Sequence, residues 1–423
     1  MKVPKPATIE QGRRAEWTPP KRPEWVERLN GLTRALDLDG LVPLDPVEMI
    51  ETATANTGLS DFGSNDWREP FEVLIRSLNH EANLNTTGRL LARADVLRLL
   101  EGRLRVEKAY REHPEIEDEH IDRPVFIVGQ GRTGTSILQK LLGLDPENRT
   151  LMTWEAMFPY GDDDIAHRIA KADGHFALWC GVAPELDRIH DWGGDEPIET
   201  ILAESMSFQC PAWLNLIGLT PSYNATITDD HRRRSLAYAK RVMKLCQWQR
   251  PGGRWVVKSP DATAYLPLVV EVFEGVRLIW PHRDPIRAMS SAVNMIGNFI
   301  WARSDVLPPS GVFDFMTDPR ASAERLSKPI DEIENGTIPR GRLANIRYDE
   351  LLDDPLAALE NTYAQIGITL GTAGREAIRD HFAENPQSQR KPHSYDVGDR
   401  ERIAQERPYF GRYQEYFGVP SEL

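Results

Sequence analysis

The stretch Val125-Phe-Ile-Val-Gly-Gln-Gly-Arg-Thr-Gly-Thr-Ser136 decides the fold. Its first four residues form an unbroken apolar run, the pattern of a strand buried on both faces. Glycines follow, and Ile137-Leu-Gln-Lys-Leu-Leu142 then carries a helical apolar pattern. Glycines let the backbone turn tightly and approach a ligand. The start of the next helix offers unpaired N–H groups and a positive dipole end to an anion. Thr133, Thr135 and Ser136 add hydroxyl donors, and Arg132 adds a full positive charge.

Outward from this loop, similar short runs recur at Trp255-Val-Val257, Val276-Arg-Leu-Ile-Trp280 and Leu343-Ala-Asn-Ile346. Helical stretches separate them, from Tyr265 to Glu274 and from Pro285 to about Phe299. Strand and helix in alternation predict an α/β fold, a parallel sheet flanked by helices. A Trp- and Met-bearing, mostly helical insertion is expected over about 160–250, placed to cover the carboxyl ends of the strands. On the amino-terminal side, residues 1–26 are rich in Pro, Lys and Arg and read as an arm, disordered or packed on a neighbour. Residues 27–122 read as a helical subdomain, because Leu and Val recur three and four apart between Thr87 and Leu104. The α/β domain then spans 123–423.

Composition narrows the function. A formal charge of −13 argues against nucleic-acid binding, since the field repels phosphates. An anionic ligand then needs local concentrations of cations, which occur at Arg132, Lys258, Arg283 with Arg287, and Arg390 with Lys391. No stretch approaches the roughly 18 apolar residues of a membrane helix. The opening residues lack the apolar core of a secretory signal. The three cysteines (Cys180, Cys210, Cys246) have neither metal-ligand spacing nor a disulfide context. A cytoplasmic protein without a metal site is the expectation, and the arm could reach another subunit.

The loop admits several readings. Gly129 and Gly134 have the Walker spacing, but Thr135 stands where the lysine belongs, which leaves the β/γ-phosphates of a kinase or NTPase without their counter-charge. Gly129, Gly131 and Gly134 match a dinucleotide fingerprint with Glu155 at a suitable distance, though Thr150-Leu-Met-Thr-Trp154 makes a poor second strand. An ordinary strand-to-helix turn is the plain alternative. The remaining reading is an anion loop with a basic residue before the second glycine, Arg132-Thr-Gly-Thr-Ser136.

A second constellation decides between them. Asp284-Pro285 is a helix start directly after the strand ending at Trp280, with Arg283 on the loop and Ser291 about two turns inside. A guanidinium fork and a hydroxyl can hold one phosphate. Together the two segments resemble the 5′-phosphosulfate loop and the 3′-phosphate site of sulfotransferases that use 3′-phosphoadenosine-5′-phosphosulfate (PAPS). Trp255-Val-Val-Lys-Ser-Pro260 resembles the family strand whose lysine lies near the transferring group. Tyr348-Asp-Glu-Leu-Leu-Asp-Asp-Pro355 resembles the stretch whose tyrosine lies near adenine. Glu384-Asn-Pro-Gln and Arg390-Lys-Pro-His393 resemble the segment that closes on the nucleotide. The likeness covers about residues 85–420 and is nearest to bacterial, actinomycete-like members with a helical amino-terminal extension.

The resemblance implies sulfuryl transfer from PAPS to a hydroxyl, leaving adenosine 3′,5′-bisphosphate (PAP). It assigns Arg132 and Lys258 to the reacting group, Thr133, Gly134, Thr135 and Ser136 to the 5′-phosphate, and Arg283 with Ser291 to the 3′-phosphate. Tyr348, Arg390 and Lys391 complete the nucleotide site. Two departures stand out: the loop opens Gly129-Gln-Gly131, where many relatives have Gly-x-Pro, and Ala262 replaces a family histidine. The acceptor alcohol still needs a general base. Glu155 is the candidate, with His175 and His190 as alternatives. Trp179, Trp192, Phe208 and Trp213 are candidates to line a pocket for a hydrophobic small-molecule or lipid alcohol or phenol. A nucleotide-binding module without transfer activity would keep the phosphate sites and lack the base.

Overall fold

A computed structural model of the chain describes residues 17–190, 192–307, 318–384 and 400–423. Five parallel strands form one sheet: β1 (Val125–Ile127), β2 (Asn148–Arg149), β3 (Arg254–Lys258), β4 (Arg277–His282) and β5 (Leu343–Arg347). Their order is β2-β3-β1-β4-β5. The chain therefore leaves β1 towards one edge and later returns to β4 on its other side. That reversal puts the ligand-binding crevice of an open α/β sheet at the carboxyl end of β1, where the glycine loop begins. Register is set by Ile127 pairing with Lys258 on one side and with Ile279 on the other.

Both faces of the sheet are covered, as the apolar runs require. Val125, Ile127, Val256 and Ile279 pack with Leu138 and Leu142 of the loop helix (Thr135–Gly143) and with Leu359 and Tyr363. The alternate residues Phe126, Val257, Leu278 and Trp280 face the opposite core, as the strand period of two dictates. On that side the insertion helices Ile165–Val182 and Asp229–Gln249 share one continuous core with the long helix Thr86–Glu112. Asn85 caps this long helix by accepting the Gly88 N–H at 2.8 Å.

The described end of the arm lies against its own chain. Trp17 Nε1 donates to Asn294 Oδ1 at 3.3 Å, and Arg22 lies 3.6 Å over the Trp301 ring while pairing with Asp305. Both contacts tie the arm to the helix Pro285–Trp301 and its end. β2 has no counterpart among the runs read from sequence. It is two residues long and half-buried, and it exists through pairing of Asn148 with Arg254 and Arg149 with Trp255.

Candidate active site

The glycine loop is shaped by left-handed backbone. Arg132 has φ 72° and Gly134 φ 93°, and Gly134 ends the turn as the cap of the loop helix. A Cβ on Gly134 would lie 2.8 Å from the Tyr348 ring, so glycine lets the tyrosine lie directly against the loop. A Cβ on Gly131 would meet nothing within 4 Å, which leaves open space beside the loop. Thr133 is buried and donates to the Gln130 carbonyl at 2.8 Å, bracing the turn from inside. Arg132 Nη1 donates to the Ile189 carbonyl at 3.1 Å, and Arg283 Nη1 approaches the Arg132 carbonyl at 3.4 Å. The Arg283 guanidinium lies 4.2 Å over the Tyr348 ring. Arg132, Gly134, Arg283 and Tyr348 thus converge, although they come from three separate strand ends.

Lys258 ends β3 beside this loop. Its side chain is 1% exposed, and Nζ lies 2.8 Å from Ser136 Oγ and 3.1 Å from Glu199 Oε1. Glu199 is brought there by the backbone, because it bridges to Lys258 in strand fashion and the Thr200 N–H donates to the Lys258 carbonyl at 3.0 Å. The buried ammonium is compensated by a carboxylate and a hydroxyl, as a charge in an apolar interior must be.

Glu199, Gln130 and Gly131 line a cavity of about 630 Å³. Its walls are largely apolar, among them Trp192, Trp213, Leu216, Met289, Met295 and Phe299. Three more charged residues, Glu81, Asp261 and Arg325, also line it. Asp261 is open to the cavity yet deep in the protein. Burial pushes its carboxyl up, against a hydrogen bond from Tyr265 Oη at 2.8 Å.

A model described as the sulfotransferase family matches residues 124–371, more than half of the chain. This chain belongs to the sulfotransferase family. Among curated proteins the sulfotransferase is similar to omega-hydroxy-beta-dihydromenaquinone-9 sulfotransferase Stf3 of Mycobacterium bovis and of Mycobacterium tuberculosis. Each is 24% identical over 301 residues, covering 66% of this chain and 71% of the relative. Among solved structures it resembles sulfotransferase STF9 of Mycobacterium avium, with TM-score 0.70, 23% identity, and coverage of 89% of this chain and 97% of that one. Sulfotransferase STF1 of Mycobacterium tuberculosis gives TM-score 0.69 at 23% identity, covering 86% and 98%. The shared fold is the P-loop-like sulfotransferase core, a parallel sheet flanked by helices.

Other candidates of the sulfotransferase fall in different places. Glu155 is 2% exposed and holds Arg149 at 3.0 Å and Arg250 at 3.3 Å, while its other oxygen accepts the Met152 N–H at 3.1 Å. Burial pushes its carboxyl up, against the pull of Arg149 and Arg250. It caps a short helix beside the edge strand β2 and is not among the cavity-lining residues. His175 Nε2 lies 2.7 Å from Asp95 Oδ1, in a buried network with Arg303. His190 does line the cavity, with its ring 4.5 Å from that of Trp192. Of the four aromatics, Trp192 and Trp213 line the cavity, whereas Trp179 and Phe208 fill the core behind it.

Asp284 caps the helix Pro285–Trp301 by accepting the Ile286 N–H at 3.1 Å, and Ser291 falls within that helix. Arg390 and Lys391 lie outside the described residues. Among the described residues, no cluster of three or more His, Cys, Asp or Glu side chains is arranged to hold a metal ion.

Sequence reasoning missed Glu199. Within Asp195-Glu-Pro-Ile-Glu-Thr200 it looks like any acidic loop residue. Its signal, the pairing with Lys258, exists only after the insertion has folded back onto β3.

Proposed function

We propose that this sulfotransferase takes a sulfuryl group from PAPS and passes it to a hydroxyl of an apolar small-molecule or lipid acceptor, with Glu199 as general base. One observation carries the reading: the Lys258–Glu199 pair stands where the anion loop opens onto the apolar cavity. The donor set fits a nucleotide with two anionic ends. The helix N-terminus with Thr135 and Ser136, together with Arg132 and Lys258, suits the 5′ side. Arg283 suits the 3′-phosphate, Tyr348 offers a ring for the base, and open space lies beside Gly131.

When bound, PAPS supplies a sulfuryl group on a phosphate oxygen that can leave as PAP. The acceptor oxygen forms the new S–O bond as the bond to the phosphate oxygen breaks, and the hydroxyl proton passes to Glu199. Lys258 supplies fixed positive charge where negative charge develops on the departing oxygen. Ser136 and Glu199 hold that ammonium in one position, so it need not reorganise during the step. The apolar walls hold the acceptor and exclude competing water. The curated relative is named for an omega-hydroxylated dihydromenaquinone, which agrees in kind with an apolar cavity that a carboxylate lines.

The test is transfer from sulfur-labelled PAPS to a panel of long-chain alcohols and phenols, alongside melting curves with PAP, ATP–Mg²⁺ and NAD. Labelled sulfate esters and a melting shift largest with PAP are expected, since a ligand bound only by the folded state stabilises it. An equal shift with ATP–Mg²⁺ or NAD, or nucleotide binding with no labelled product from any acceptor, overturns the reading.

A further inference from the structure

The guanidinium assigned to the 3′-phosphate already holds an anion from the chain itself. Arg283 Nε lies 2.8 Å from Glu422 Oε1 and 3.2 Å from Oε2, and Nη2 lies 2.9 Å from Oε2. Arg287 Nε adds a contact to the same carboxylate at 3.7 Å. This is the fork-on-fork geometry that a phosphate would also present to an arginine.

The tail around Glu422 is held by a matching clasp. The Glu422 N–H donates to Asp284 Oδ2 at 2.8 Å. Asp284 Oδ1 takes Arg407 at 2.7 Å, and Arg407 Nη2 reaches the Leu423 carbonyl at 3.3 Å. Asp284 is therefore both the cap of the helix behind Arg283 and the anchor of the tail. Upstream, Tyr413 is buried with its hydroxyl 2.8 Å from His282 Nδ1, and Val419 is 5% exposed. Beyond Val419, the residues Pro420 to Leu423 are exposed, so their release uncovers little apolar surface.

We propose that Glu422 is an internal competitor of the 3′-phosphate, a latch that closes the nucleotide site and is displaced when a 3′-phosphorylated nucleotide binds. This rests on the reading of Arg283 as the 3′-phosphate ligand. A carboxylate carries one negative charge and a phosphate group nearly two, so the phosphate wins the exchange on one guanidinium. The Glu422 side chain is 30% exposed, which keeps the latch weak enough to open. A nucleotide without a 3′-phosphate has nothing to exchange for Glu422 and leaves the latch closed. Donor binding is then coupled to release of the tail, and anything that holds the tail down lowers the apparent affinity for donor.

The experiment titrates wild type, Glu422→Gln and Arg283→Ala with PAP and with adenosine 5′-phosphosulfate, and follows hydrogen exchange of the Glu422 amide. Glu422→Gln should tighten PAP roughly three- to tenfold, the range for a partly exposed charge-assisted pair, and change adenosine 5′-phosphosulfate much less. In wild type, PAP should speed exchange at the Glu422 amide. The latch is overturned if Glu422→Gln binds PAP no more tightly while Arg283→Ala still weakens it, or if PAP slows exchange in the tail. If Arg283→Ala binds PAP as wild type does, the 3′-phosphate assignment itself fails and the latch falls with it.

Discussion

The Lys258 ammonium lies 3.1 Å from the Glu199 carboxylate, and the backbones of the two segments are bridged as well. Side-chain pairing alone would leave Glu199 free to swing. The Thr200 N–H on the Lys258 carbonyl fixes the peptide from which Glu199 projects, so carboxylate and ammonium are positioned as one unit.

Glu199→Gln keeps size and polarity but cannot take a proton. It should lower kcat by roughly 10²–10⁴-fold, the usual share of a general base, with PAP affinity nearly unchanged. Glu155→Gln should do the reverse. It weakens the compensation of buried Arg149 and should cost roughly 1–3 kcal/mol of stability while folded enzyme keeps its turnover. Steady-state rates on a purified acceptor and urea unfolding separate the two. An inactive Glu155→Gln variant of normal stability would return the base to Glu155.

Ala212 lines the cavity near the start of the helix Pro211–Ile217. Ala212→Phe should fill acceptor space and raise the acceptor KM roughly tenfold or more, from about 1–3 kcal/mol of overpacking. The dissociation constant for PAP should stay put, because Ala212 is in none of the contacts that shape the anion loop. A parallel loss of nucleotide binding would mean that the substitution disturbs the whole fold.

Asp95 is fully buried between His175 at 2.7 Å and Arg303 at 3.1 Å. Burial pushes its carboxyl up, but the hydrogen bond and charge of His175, then Arg303 and Arg98, outweigh it and hold the group below the usual carboxylate range. A depressed carboxyl contributes stability above its unfolded pKa and loses it as pH falls through the folded value. Asp95→Asn strands buried Arg303 and should cost roughly 3–5 kcal/mol at pH 7. That difference should shrink on acidification below about pH 4, the ordinary aspartate range. Denaturant titrations at several pH values measure it, and a pH-independent difference would show that packing and not charge is at stake.

Glu204 runs the other way. It is 1% exposed, and burial pushes its carboxyl up to about 7 although Thr200 at 2.8 Å and Ser235 at 3.2 Å donate to it. The folded state then binds a proton that the unfolded state has released, so stability is fullest below the ordinary glutamate value of 4.5 and falls as pH rises towards 7. Buried His282, lowered to about 3, opposes this trend, since its contribution grows with pH up to its ordinary value. The clean measurement is therefore Glu204→Gln against wild type at each pH. The variant should gain on wild type between pH 5 and 8, by on the order of 2–3 kcal/mol. A flat difference across that range would show that Glu204 stays ionised.

Strands β1, β3, β4 and β5, the glycine loop and the Asp284-Pro285 helix start were all legible in the sequence. Each is specified by neighbours in the chain: apolar runs that only a buried strand satisfies, glycines at a turn, an acid before a proline. The same local signals carried the family resemblance. β2 was not legible, because two half-buried residues become a strand only when Arg254 and Trp255 lie alongside.

Side-chain roles divided along the same line. Glu155 and Glu199 are the same residue type, and no local pattern distinguishes them. Tertiary structure placed Glu155 between Arg149 and Arg250 and brought Glu199 to Lys258. Likewise Trp192 and Trp213 reached the cavity while Trp179 and Phe208 went into the core, and Glu422 met Arg283 from the far end of the chain. The sequence by itself determined four of the sheet's five strands, the anion loop and the family, since backbone conformation and apolar burial follow from local composition. Which charges pair, and which aromatics face an opening, was decided only when distant segments met, because a charge is compensated by whatever the fold brings within a few ångströms.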